Sequence, residues 1–185
     1  MGGVVWLAVV TLIVAGMAVE WALLCRLRRR ITLAWGALYI LPSYVALIML
    51  RGAEGGRRTV LFLMLVVWAG DIGAYLVGRL VGGPRLAPRI SPGKTWSGAA
   101  GGTVCAILAG VAVAPAHPAA SSLLALALSM VAQAGDLLES AIKRHFGVKD
   151  SGWLIPGHGG LLDRLDGVIA AAPAMLLISF LTRSG

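Results

Sequence analysis

The sequence predicts an all-α fold, a polytopic transmembrane bundle of about six membrane-spanning helices. Composition is the first reason: of 185 residues, 58% are hydrophobic and only 13% charged. A soluble domain carries roughly 45–50% apolar and about 25% charged residues. The second is the abundance of Gly (25 residues) and Ala, which lets helices approach closely in lipid. The third is the grouping of apolar residues into six runs near the ~20 residues needed to cross a bilayer.

The first run, 4–24, follows a start that resembles a signal peptide. It lacks a basic n-region, and its apolar stretch exceeds the roughly 7–15 residues of an h-region, so it reads as a retained helix. Runs two and three cover 32–50 and 59–80, the latter interrupted by Asp71. The fourth, 98–116, carries no charge. The fifth, 119–145, is apolar only at first; its end holds Asp136, Glu139, Lys143 and Arg144. The sixth covers 165–181. No hydrophilic stretch is long enough for a soluble domain, and no internal repeat is evident.

The connections carry orientation signals. The first, third and fifth hold twelve Lys and Arg, whereas the second, the fourth and the tail hold four. By the positive-inside rule the odd connections face the cytoplasm and both termini lie outside. The net charge of +8 punctuates apolar runs instead of lining a soluble face, which argues against nucleic acid as a partner. Anionic headgroups of membrane lipids, nucleotide phosphates and topology signals account for it better. Cys25 and Cys105 sit in apolar surroundings and read as packing residues. Several of the six Trp lie near helix ends, as interfacial anchors do.

Six of the eight acids fall in two polar clusters, 71–97 and 136–166, both on the cytoplasmic side. Glu20 and Glu54 read as incidental. Acids in apolar helices are costly and mark function by default, with ion pairing that merely holds the bundle as the alternative. Asp136, Glu139, Ser140 and Lys143 share one helical face at i, i+3, i+4, i+7, and Asp163 and Asp166 share another at i, i+3. Two such faces at one depth make an oxygen-donor site for a hard cation such as Mg2+, completed by waters and phosphates. Lys143, Arg144, Lys149 and Arg164 alternate with these acids, as a site for several phosphates and metal requires.

The connection between the two faces is rich in Gly (Gly152, Gly157, Gly159, Gly160), which permits tight turns and close backbone approach to a ligand. His158 within it is either a hydrogen-bonded structural residue or a phosphate or headgroup contact. Asp71 is either a helix–helix hydrogen bonder or part of the active cavity. The segment Ser91-Pro92-Gly93-Lys94-Thr95-Trp96 resembles a phosphate-gripping turn, without Walker A spacing.

Ser140, Lys143-Arg144, Lys149-Asp150, Gly152, Ile155-Pro156, His158-Gly159-Gly160, Asp163-Arg164 and Asp166 together resemble the signature of the phosphatidate cytidylyltransferases (CDP-diacylglycerol synthases). More than ten defined positions coincide within 27 residues. Asp71, Gly73, Tyr75, Gly78-Arg79 and the 90–96 segment also resemble that family, so the likeness covers roughly 71–173. Two departures stand out: family members usually carry several more N-terminal helices, and Ser97 stands where an acid commonly follows Lys-Thr-Trp.

The resemblance implies CTP + phosphatidic acid → CDP-diacylglycerol + pyrophosphate, by a nucleotidyltransferase of phospholipid biosynthesis in a bacterial inner or cell membrane, its active site facing the cytoplasm. It implies catalytic roles for Asp136, Lys143, Asp163 and Asp166. Asp136 and Asp163 are the expected metal ligands, Glu139 and Asp166 supporting or sharing that role. Lys143, Arg144, Lys149 and Arg164 would hold phosphates. Ser91, Lys94 and Thr95, with Asp71, Ser140, Asp150 and His158, complete the expected substrate contacts. The expected cofactor is Mg2+, with room for a second monovalent or divalent cation, and a homodimer is left open. The chain reads as one integral membrane domain, 1–185, with N-terminal helices in 1–58 and the catalytic core in 59–185. Related membrane chemistry on another lipid phosphate, a lipid kinase, and an ion-coupled transporter are the alternatives; the last lacks the inverted repeats it would need.

Overall fold

The structure, a computed structural model, describes residues 2–25, 30–152 and 159–183, with side chains 30–32 and 183 excepted. Among these residues six helices form, each long and apolar enough to span a membrane. They are α1 (Gly2–Leu24), α2 (Arg30–Gly52), α3 (Gly56–Val81), α4 (Trp96–Val113), α5 (Pro118–His145) and α6 (Leu162–Arg183). The six expected runs all appear, shifted by a few residues at their ends. The predicted bundle is the observed fold.

The core sits between α2, α3, α5 and α6, around Leu50, Leu63, Val66, Leu128, Ala171 and Ala172. A second cluster, Met17, Trp21, Cys25, Ile40, Leu162 and Ile169, joins α1 and α2 to the first turns of α6. Cys25 therefore packs as expected. Trp21 is no interfacial anchor: it is buried and stacks obliquely on Tyr39.

Helices α3 and α4 form the tightest seam, because glycines face each other across it. A Cβ on Gly102 would lie 2.6 Å from the Gly70 carbonyl oxygen, and one on Gly98 would lie 2.7 Å from that of Ala74. Small residues replace the hydrophobic drive that lipid removes. Gly102→Val should therefore lower the thermal midpoint in detergent, by the equivalent of about 1–3 kcal/mol of overpacking. An unchanged midpoint would mean that the two helices do not approach this closely.

Proline in α6 shows how a freed backbone group is satisfied inside the membrane. Pro173 has no N–H for the carbonyl of Ile169, four residues back. The buried hydroxyl of Ser43 on α2 donates to that oxygen instead, at 2.6 Å. An unpaired carbonyl at this depth would cost several kcal/mol.

One element was not expected. Residues 84–95 form an antiparallel hairpin of β1 (Arg85–Ala87) and β2 (Ser91–Thr95), pairing Arg85 with Thr95 and Ala87 with Ser91. The segment read as a phosphate-gripping turn is thus mostly a strand. Gly82 and Gly83, at φ 66° and 106°, turn the chain out of α3 into it.

Candidate active site

The two polar clusters come together at one end of the bundle. The C-terminal halves of α3 and α5, the first turns of α4 and α6, and the hairpin enclose a cleft of about 770 Å3. Ligand sites commonly measure ~300–1,000 Å3. Of the expected site residues, Asp71, Ser91, Lys94, Thr95, Asp136, Lys143, Asp163, Arg164 and Asp166 line it. Tyr75, Arg79, Arg85 and Gln133 line it as well.

Helix α3 supplies its wall at i, i+4, i+8: Asp71, Tyr75 and Arg79 lie one turn apart on one face. Arg79 donates to the Tyr75 hydroxyl at 2.7 Å and lies over its ring. The i, i+4, i+8 spacing of this stripe is legible in the sequence, and Tyr75 and Arg79 also belong to the family likeness. Gln133 ends a polar ladder inside the α4–α5 interface, donating to Thr103 at 3.0 Å and Ser129 at 3.1 Å.

Side-chain bonds from several elements hold the hairpin and its base in place. Lys94 forms an ion pair with Asp136. Arg144, beyond the end of the predicted carboxylate face, donates to the carbonyl of Ile90 at 3.2 Å and to that of Val148 at 3.1 Å. Thr95 accepts from the amide of Gly98 at 3.0 Å, which caps α4, so its hydroxyl has a structural duty besides lining the cleft. Ser97, the departure from the family pattern, donates to the Gly82 carbonyl and ties the base of the hairpin to the end of α3.

Lys143 is the central cation. It bonds Asp163 at 2.5 Å and lies 3.3 Å from Glu139, with all three side chains almost buried. Asp163 is saturated. Its other oxygen accepts from the amides of Ser151 (2.9 Å) and Gly160 (2.8 Å) and from the Ser151 hydroxyl (3.0 Å). It therefore fixes the lysine and the Gly-rich connection together.

These bonds bear on the expected metal set. Among the described residues no three His, Cys, Asp or Glu side chains gather as ligands, and Glu139 and Asp163 meet on the Lys143 ammonium. Glu139 lies buried behind Lys143, and Asp163 is taken up by four donors. The other acids lining the cleft are Asp136, paired with Lys94, Asp166 and Asp71, and both Asp71 and Asp166 lie within electrostatic reach of Asp136.

Ser140, Arg144, Lys149 and Asp150 are not among the described residues lining the cleft; the last two are exposed beyond the end of α5. His158 lies outside the described residues. Glu20 requires a correction. Read as incidental, it is 1% exposed and accepts from the amides of Leu161 (2.8 Å) and Leu162 (2.9 Å). Its signal was available, since it too is an acid within an apolar helix.

The cytidylyltransferase family matches residues 1–182 of the chain. Phosphatidate cytidylyltransferases are among its relatives. That of Brucella suis is 53% identical over 149 residues, covering 78% of this chain and 55% of its own. That of Staphylococcus epidermidis is 47% identical over 128 residues, covering 66% and 49%. That of Mycobacterium leprae is 46% identical over 143 residues, covering 75% and 45%. The chain spans about half the length of the curated relatives it matches. A match over almost its whole length and identities of this order make the chain a member of the cytidylyltransferase family.

Proposed function

We propose that the cleft transfers the cytidylyl group of CTP to the phosphate of phosphatidic acid, releasing pyrophosphate and leaving CDP-diacylglycerol in the membrane. One observation carries this reading: five cationic side chains and four carboxylates line a single cleft at the ends of membrane-spanning helices. Such a site suits a polyphosphate and a lipid headgroup together. The names of the relatives support the same chemistry.

An oxygen of the lipid phosphate attacks the α-phosphorus, and the bond from that phosphorus to the bridging oxygen of the β-phosphate breaks. The nucleophile is already anionic, so no strong base is needed. The barrier is electrostatic, since two anions must meet and the leaving group gains charge. Lys143, held by Asp163 and Glu139, is a preorganised cation that pays no reorganisation on reaction. Arg79, Arg85, Lys94 and Arg164 surround the remaining phosphate positions. Ser91 and Thr95 offer hydroxyls beside Lys94.

The donor chemistry fits a hard divalent cation. Mg2+ needs only one or two carboxylates when phosphates and waters complete its shell, and Asp136 and Asp166, with Asp71 nearby, would supply them, Asp136 in exchange for its Lys94 pairing. Glu139 and Asp163 serve the site through Lys143. When bound, the ion would neutralise phosphate charge. A cytoplasmic orientation of the cleft is supported by the twelve basic residues of the odd connections.

Pyrophosphate release by the purified chain in detergent tests the reading. It should require CTP, phosphatidic acid and Mg2+ together and stop on chelation. Release without the lipid, or undiminished by chelator, would contradict it.

A further inference from the structure

Helix α1 contributes no side chain to the cleft lining, yet its Glu20 reaches the end of the connection that leads into Asp163 and Arg164 on the first turn of α6. The first amides of a helix have no partner within it. At the start of α6 the amides of Leu161, just before the helix, and of Leu162 donate to the two oxygens of Glu20. The Ser151 hydroxyl, at the other end of the connection, faces both carboxylates, 3.0 Å from Asp163 and 3.4 Å from Glu20. The backbone is shaped around this contact. A Cβ on Gly160 would lie 2.6 Å from Glu20 Oε2, and one on Gly152 would lie 2.9 Å from Oε1. Both ends of the connection are therefore clamped between Glu20 on one side and Asp163 on the other. A carboxylate is also well placed at a helix N-terminus, where the dipole is positive.

We propose that Glu20 is a positioning residue of the reaction site, capping α6 from α1 and holding Asp163 and Arg164 in register with Lys143. It touches no substrate. The inference rests on the cytidylyl-transfer reading for its kinetic consequence, but the clamp itself does not.

The test compares Glu20→Gln, Glu20→Ala and Gly152→Ala with the parent chain in detergent. In Glu20→Gln one oxygen remains as acceptor, so kcat should fall about 10-fold, and in Glu20→Ala about 100-fold, the scale of a misplaced reacting group. KM for CTP should change far less. Gly152→Ala should lose activity in the parent but cost little more in Glu20→Ala, because the contact that it strains is gone. Folded Glu20→Gln and Glu20→Ala with parental kcat, or additive losses in the double variant, would overturn the proposal. Hydrogen exchange of residues 159–164 in Glu20→Gln gives a readout independent of turnover: it should rise there and not at the α3–α4 seam. If the parent chain makes no CDP-lipid, the functional reading fails, and exchange alone decides the clamp: unchanged exchange at 159–164 rejects it.

Discussion

Lys143→Met should leave a protein that turns over at least about 100-fold more slowly and is less stable by roughly 3–5 kcal/mol. The two effects have one cause. Lys143 stands between Asp163 and Glu139 with about a tenth of its side chain exposed. Removing it strands two acids in a site with little water, and removes a cation from the place where phosphate charge develops. Glu139→Gln separates the two: it relieves the burial of one acid but keeps the lysine in place on Asp163. Its loss of activity should be several-fold smaller than that of Lys143→Met. Lys143→Arg should recover part of the stability and little of the rate, because a planar fork does not replace a compact ammonium at 2.5 Å from Asp163. Thermal denaturation and kcat/KM on the monodisperse fraction measure the two effects. A folded Lys143→Met with parental kcat would make the lysine a strut of the bundle only.

The pair of Lys94 and Asp136 should behave differently. It joins the hairpin to α5 and lines the cleft from both sides. Lys94→Met should mainly raise KM for CTP, about 10-fold, through loss of phosphate contact. Asp136→Asn should lower kcat about 1,000-fold if its carboxylate holds the metal and aligns the phosphates. The reversed pair, Lys94→Asp with Asp136→Lys, restores the ion pair but places each charge on the wrong wall. It should stay inactive. Recovery of activity in the reversed pair would show that the bond serves only to hold the hairpin down.

The helices were legible because lipid imposes a simple requirement on them: about 20 apolar residues, with the backbone groups satisfied inside the protein. The carboxylate faces of α5 and α6 were legible for the same reason, since helical spacing alone aligns Asp136 with Lys143 and Asp163 with Asp166. The hairpin was not. Residues 82–94 are rich in Gly, Pro and Arg, and β1 has only three residues, so no alternating pattern announces it. It is held by Lys94, Arg144 and Ser97 bonding to distant elements. The partition of the acids was also hidden. Asp163 reads from sequence as a metal ligand, but whether an acid meets a metal, a lysine or two amides depends on the fold of the connection. The role of Glu20 was hidden because it lies near a helix end shortly before the Arg26–Arg30 run, whereas its partners in space lie some 140 positions away.

The fate of the phosphates tests the central claim most directly. With CTP labelled on the α-phosphate, phosphatidic acid and Mg2+, the lipid fraction should become labelled; with the γ-phosphate labelled, all label should leave as pyrophosphate. Label passing from the γ-phosphate into lipid would make the site a kinase. Label from neither position in lipid, with a folded chain and both substrates present, would contradict cytidylyl transfer at this cleft.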